Sequence, residues 1–434
     1  MKTPALFLLA VSSLALAAEP PEPKFTAVTL DDKIQIGYGL AIADVDGDKA
    51  PDVLLADKRQ IVWYRNPGPA KARDAAAWTK HLIAENLTEK DNVCLAAQDL
   101  DGDGKCELAV GAEWNPGDTV NSGAVFYLIP PADRTQRWEP VKFPSVEPTT
   151  HRMRWLKMED GKWGLVVVPL HGRGNKNGEG APVKVLLYHP PDGWPGGNRA
   201  IDSAAGGGLG TDSAVPSKPS GEWKSEVIVE SMHMTHNFEF IDNGEDGDIL
   251  FAGREGVVAF SPTENPGRPW RPARIVTADQ PPSSDFRGAG EVRFGFAPIR
   301  TIAVVEPMHG NALVCYQSSD PVPGSPVGWQ RRVLTDKLIE GHALACGDLL
   351  GVKSDQIVVG WRGNPAKPDN TFGIHLWTPL DATGEQWRDS AVDDGGMACE
   401  DLQLADLDGD GRPDIAASGR ATKNVKIYFN DTPR

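Results

Sequence analysis

The stretch Tyr38–Asn66, YGLAIADVDGDKAPDVLLADKRQIVWYRN, decides the fold. It holds three short apolar runs: YGLAIAD from Tyr38, PDVLLA from Pro51 and QIVWYRN from Gln60. An Asp/Gly turn separates the first two, and a charged turn separates the second and third. β-branched and aromatic runs of this length, closed by turn residues, read as antiparallel strands. A fourth run follows at Trp78, WTKHLIAE. We label the four A, B, C and D.

The fourth run recurs. Trp138 (EPVKFP), Trp223 (KSEVIVE), Trp270 (RPARIVTAD), Trp329 (QRRVLTD) and Trp387 (RDSAVDD) each head a similar segment, and Phe25 (TAVTLDD) heads a seventh. Successive starts lie 53, 60, 85, 47, 59 and 58 residues apart. Self-similarity at that period, with four short strands per unit, predicts an all-β, seven-bladed β-propeller. The A strands are expected to begin near Tyr38, Val93, His151, His236, Gly290, His342 and Glu400. The chain ends on strand C of the seventh blade, so the copy at Phe25 is expected to supply its strand D and close the ring, removing two exposed edges. Residues 190–222, rich in Gly, Ser and Pro, read as a flexible insertion between strands C and D of blade 3.

Composition narrows the function. Residues 1–17 carry Lys2, an apolar run from Ala5 to Ala17 and a small-x-small ending, which read as a signal peptide; residues 18–434 would then be the exported propeller, secreted or periplasmic. No other stretch is apolar enough to span a bilayer. A net charge of −16 argues against nucleic acid and anionic membranes as partners. Five cysteines without paired spacing do not form a disulfide framework, though an exported chain could hold one or two bridges. The oligomeric state is not legible.

In a four-stranded blade the A–B and C–D loops share one face of the ring, and the B–C and D–A connections share the other. Three A–B loops carry acids at positions 1, 3, 5 and 9: Asp44, Asp46, Asp48 and Asp52; Asp99, Asp101, Asp103 and Glu107; Asp406, Asp408, Asp410 and Asp414. Several carboxylate oxygens around one point suit Ca²⁺, in a structural role. Blades 4 and 6 keep only fragments (Asp242, Asp246, Asp248; Asp348, Asp355) and are expected to bind nothing.

The opposite face collects six of the nine histidines. His151, His236 and His342 head strand A, and Glu400 holds the matching place in blade 7. His171 and His309 come from two similar B–C loops, VVVPLH and VVEPMH, and His233 from a D–A connection. Arg173, Arg254, Arg362, Arg420 and Trp114 lie on the same side. Convergent imidazoles hold Zn²⁺ or another divalent transition metal, or act as general bases; arginines hold substrate oxygens. We assign His151, His236, His342 and Glu400 as catalytic candidates, His171, His233 and His309 as transition-metal candidates, and Arg173, Arg254, Arg362, Arg420 and Trp114 as substrate-binding candidates. Blade 5 offers only Gly288-Ala289-Gly290 at its strand head.

The acidic loops resemble FG-GAP or VCBS repeats. The runs Thr149–Trp155 (TTHRMRW), His171–Asn175 (HGRGN), His233–Phe238 (HMTHNF) and Ala252–Gly256 (AGREG) resemble the propeller domain of aldos-2-ulose dehydratase/isomerase. That resemblance covers blades 3 to 7. It implies elimination of water from a keto-sugar such as 1,5-anhydrofructose, with His151 as base and His233 and His236 in or beside a metal site. The cupin domains of that family have no counterpart here. A carbon–oxygen lyase acting on a small carbohydrate is therefore the first expectation. A non-catalytic FG-GAP binding or scaffold propeller and a propeller-type polysaccharide lyase are the alternatives.

Overall fold

The computed structural model describes residues 19–433, apart from 145, 159, 192–193, 195–221, 242–246, 264–267, 278–287, 298 and 319–328. The leader, most of the 190–222 insertion, and Asp242 and Asp246 lie outside the described residues. No helix among the described residues is long and apolar enough to cross a membrane.

Seven four-stranded antiparallel sheets form the ring. Their inner strands, A, are Gly39–Ala43, Cys94–Gln98, Thr150–Lys157, Thr235–Phe240, Val292–Phe296, Gly341–Gly347 and Cys399–Ala405. The outer strand of blade 7 is Phe25–Asp31, which pairs with Asn424–Asn430, so first and last segments close the ring as the repeat count predicts. The blade 7 to blade 1 seam is sewn by Asp401, whose Oδ2 accepts from the Leu40 N–H at 2.8 Å, and by Ser418, whose hydroxyl donates to Gly37 O at 2.8 Å.

Strands B and C are almost wholly buried, which explains why they read as continuous apolar runs. Each buried cluster draws on two adjacent blades. Leu54, Trp63, Leu108 and Phe126 join blades 1 and 2, whereas Leu40, Val53, Ile427 and Phe429 join blades 1 and 7. The core is thus a set of interblade layers around an axis that stays polar. Each Leu, Ile or Val in such a layer contributes about 1.5–3 kcal/mol. All five cysteines are free thiols, so the bridges an exported chain could hold are not formed.

Candidate functional site

The heads of four A strands share one irregularity. Thr150 pairs with Pro169 and Arg152 with Val168, leaving His151 as an extra residue. His236 is extra between Thr235 and Asn237, His342 between Gly341 and Ala343, and Glu400 between Cys399 and Asp401. Blades 1 and 2 run in straight register from Gly39 and Cys94. A β-bulge sets two residues against one and re-aims a side chain. Here it turns four side chains into the axis at one level.

Sequence reasoning missed a fifth. In blade 5 the Gly290 N–H donates to Val305 O at 2.9 Å while the Val305 N–H donates to Glu291 O at 3.1 Å, again two residues facing one. Glu291, 1% exposed, is the polar strand head that Gly288-Ala289-Gly290 seemed to lack. The available signal was its offset of one residue from the expected strand start.

The four bulged strand heads, but not Glu291, open on a cavity of about 420 Å³ lined by His151, His171, His236, His309, His342 and Glu400, together with Arg152, Arg362, Arg420, Trp114 and Tyr38. His236, His309 and His342 each present a nitrogen, all within 4.8 Å of one another. His309 Nε2 is 2.7 Å from His236 Nε2. The Nδ1 atoms are tied down: His151 to the carbonyl of His236 at 2.8 Å, His236 to that of Gly290 at 3.0 Å, and His342 to that of Glu400 at 2.6 Å. Glu291 Oε1 lies 3.1 Å from the same His236 Nδ1, and its other oxygen accepts from Asn237. Nδ1–H bonds of this kind fix the tautomer and leave Nε2 as the free lone pair, the arrangement that supports metal-ligating histidines.

Burial holds all four imidazoles well below the ordinary histidine range. The next cause is Arg152 for His151 and His236, His236 for His309, and Arg362 for His342. They are neutral at neutral pH, the form that ligates. Arg152 Nη1 donates to His151 Nε2 at 3.1 Å, and Trp114 stacks on the His151 ring at 5.0 Å. Glu400, 2% exposed, accepts from Arg420 at 2.9 Å and from Arg362 at 3.1 Å.

The structure divides the sequence candidates differently from the roles assigned above. His309 joins His236 and His342. His171 lines the cavity wall, buried, with its backbone bridging Met234. His233 does not line the cavity; its Nδ1 lies 2.9 Å from Glu255. Arg173 donates to Val120 O at 2.7 Å and Arg254 to Asn177 O at 2.6 Å, and neither lines the cavity. Below the histidines the axis continues into a second cavity, about 240 Å³, lined by Arg152, Arg154, Asn237, Arg293 and Asp401.

On the opposite face the three acidic loops fold alike. The first acid caps its own turn: Asp44 accepts from Gly47 and Lys49 (2.7 and 2.8 Å), Asp99 from Gly102 and Gly104 (2.7 and 3.0 Å), and Asp406 from Asp410 and Gly411 (3.0 and 2.8 Å). Gly47, Gly102 and Gly409 have φ of +84°, +78° and +73°, which a side chain would strain. The ninth-position acids are buried struts: Asp52, Glu107 and Asp414 accept from Val45, Leu100 and Leu407, each at 2.9 Å. Burial pushes their carboxyls up, to about 8, about 8 and about 7. Three carboxylates come together in each loop: Asp44, Asp46 and Asp48; Asp99, Asp101 and Glu107; Asp406, Asp408 and Asp414. Asp52, Asp103 and Asp410 fall outside these triplets. Such oxygen sets fit a hard cation, although Arg65 already pairs with Asp46 at 2.6 Å and Arg73 with Asp408 at 2.8 Å. In blade 6, Gln356 takes the ninth position and accepts from Leu350 at 2.9 Å, so the strut works without charge. In blade 4 the described acid, Asp248, is buried.

Residues 44–110 match the model of the FG-GAP-like repeat family. Over 234 residues the chain is 26% identical to integrin alpha-PS2 of Drosophila melanogaster; the match takes in 50% of this chain and 14% of the integrin. Among solved structures it resembles the WD40 β-propeller domain of Doa1 (TM-score 0.50, 10% identity, 94% of this chain and 97% of that one). It also resembles BBS1N, solved in complex with ARL6DN (TM-score 0.50, 12% identity, 96% and 98%). At these identities the structural likeness speaks for the fold alone. The chain is a seven-bladed β-propeller whose first two blades carry FG-GAP-like sequence.

Proposed function

We propose that this propeller is an exported, metal-dependent carbon–oxygen lyase that eliminates water from a hydroxylated keto-sugar at the histidine-lined cavity. One observation carries the reading: the imidazoles of His236, His309 and His342 converge in a buried pocket, neutral and with two of their Nδ1 atoms anchored. These three would hold Zn²⁺ or a similar divalent ion, which when bound supplies Lewis acidity beside the sugar carbonyl.

The chain's own residues do the rest. His151 is neutral, its Nδ1–H fixed on His236 O, so Nε2 is the proton acceptor. Arg152 must turn away from that nitrogen before it takes a proton from the carbon next to the carbonyl. Trp114 covers the His151 ring and keeps it from water. Arg362 and Arg420 hold Glu400 in place and face the cavity, where they orient substrate oxygens. The C–H bond breaks toward His151, and its electron pair forms the C=C bond as the C–O bond breaks at the neighbouring carbon. The leaving hydroxide takes the proton back from the His151 imidazolium and departs as water, leaving a conjugated enone and a neutral His151.

The acidic loops would hold Ca²⁺ and stiffen their blades. The test is elemental analysis of the purified protein followed by a screen of keto-sugars for rising ultraviolet absorbance. About one equivalent of transition metal and enone formation that His151→Ala abolishes are the expected result. Metal-free protein with full activity would overturn the reading. A non-catalytic extracellular binding propeller is the second reading, favoured by the integrin match; ligand binding with no turnover in the same screen would select it.

A further inference from the structure

The cavity is charged unevenly. Its lining carries Arg152, Arg362 and Arg420 against one acid, Glu400. Arg362 is well occupied, with Nε on Glu340 at 2.9 Å and Nη1 on Glu400 at 3.1 Å. Arg420 gives Glu400 a single bond, from Nη1. Its Nε and Nη2 donate to nothing among the described residues, and its side chain is 42% exposed. The guanidinium is held over the Tyr38 ring, 5.5 Å from the centroid. The Tyr38 hydroxyl donates to Asp91 at 3.3 Å, and the second acid that bears on Arg420, Glu340, is paired with Arg362. Arg152 likewise spends only Nη1, on His151.

A guanidinium that lines a pocket, fixed at one corner with two nitrogens unspent, matches a carboxylate. A neutral sugar entering the cavity would strip water from these donors without supplying charge, and a divalent ion on the histidines would make the excess larger. We infer that the ligand of this cavity is a sugar acid, whose carboxylate seats on Arg420 while its hydroxyls face the histidines. This deepens the lyase reading by naming the substrate class, and it rests on that reading only for turnover, not for binding.

The test is calorimetric titration of the intact protein with D-glucuronate and D-galacturonate, with D-glucose and D-galactose as neutral counterparts and glucose 6-phosphate as a second anion. Metal content is measured on the same samples. The uronates should bind at least about tenfold more tightly than the neutral sugars and more tightly than the phosphate. Arg420→Gln should cost the uronates about 10- to 100-fold and the neutral sugars, which lose only neutral hydrogen bonds to Arg420, much less. Arg420→Lys, which keeps the charge on Glu400, should recover part of the loss. Equal affinity for acids and neutral sugars, tighter binding of the phosphate, no binding of any probe, or uronate affinity indifferent to Arg420→Gln would each overturn the inference. Uronate binding by protein without transition metal would keep it and remove the lyase reading. Enone formation confined to neutral keto-sugars would do the reverse.

Discussion

The two faces of the ring are both built from repeated positions, yet they are organised in opposite ways. On the acidic face each candidate cation site is local: Asp99, Asp101 and Glu107 come from one turn and are held by that turn's own N–H groups. On the histidine face nothing is local. His236 meets His309 across 73 residues, and the imidazoles of His151, His236 and His342 each lean on a backbone carbonyl of the next blade. The local site can be altered one blade at a time, whereas the axial site depends on the whole ring. Strand twist and bulges, not loop chemistry, bring its parts together.

The sharpest way to break this contrast is His236→Ala. Removing one of three imidazoles should abolish the bound transition metal, read by elemental analysis, while the seven-bladed fold persists by circular dichroism. Asp46→Asn and Asp101→Asn should leave that metal untouched. If loop variants remove it instead, the two faces are not independent.

Next in size is Glu291→Gln. The carboxylate lies 3.1 Å from His236 Nδ1, beside the Gly290 carbonyl that the same nitrogen meets at 3.0 Å, so under the proposed metal site it would help orient a ligand without being one. Outer-shell losses of this kind cost roughly 10- to 100-fold in metal affinity, measurable by chelator competition. Because Gln keeps the shape and can still meet Asn237, stability should change little. A variant with unchanged affinity would mean that the Gly290 carbonyl alone orients the ring.

The acidic face should answer in stability instead. Asp99→Ala removes a carboxylate that accepts two backbone N–H bonds, a loss of roughly 1–3 kcal/mol. A lower melting temperature, by a few degrees, and loss of the calcium-induced rise in melting temperature are expected. The equivalent change at Asp348 in blade 6, where Gln356 replaces the ninth acid, should lower stability without altering any response to calcium.

The contrast also explains what could be read from sequence. The blade count, the order of strands and the closure through Phe25 follow from a local pattern repeated seven times, so errors in one copy do not spread. The acidic loops were legible for the same reason. The axial site was legible only as a census of strand heads. Which of His171, His233 and His309 joins His236 depends on loop paths: His309 reaches the axis with φ of +50°, while His233 turns out to Glu255. Glu291 was hidden because a bulge adds one residue, and a slip of one residue reverses the side chain that faces the axis. Arg173 and Arg254 carry the charge expected of substrate ligands, yet neighbouring loop carbonyls had claimed them, which no spacing rule reveals.

The smallest expected effect lies away from both faces and serves as their control. His375, on strand C of blade 6 (Gly373–Pro379), has Nδ1 2.6 Å from Asp389 and Nε2 3.0 Å from Asp394 on the outer strand, Trp387–Asp394. Burial pulls its imidazolium down, but the two carboxylates together outweigh that and hold it above the ordinary value of 6.5. A raised folded value means the charged pairing contributes fully below about pH 6.5 and is lost as pH rises through the folded value. Asp394 is 70% exposed and Asp389 42%, so solvent screens the pairs and the contribution stays below about 1 kcal/mol. Asp389→Asn with Asp394→Asn should therefore lower denaturant stability slightly at about pH 5.5 and not at about pH 9. Metal content and ligand affinity should not move at either pH, because this histidine touches neither the axis nor the loops. A loss of metal in this variant would mean that a disturbance in an outer strand of blade 6 reaches His342 through the sheet, and the axial site would then be sensitive to packing as well as to its own ligands.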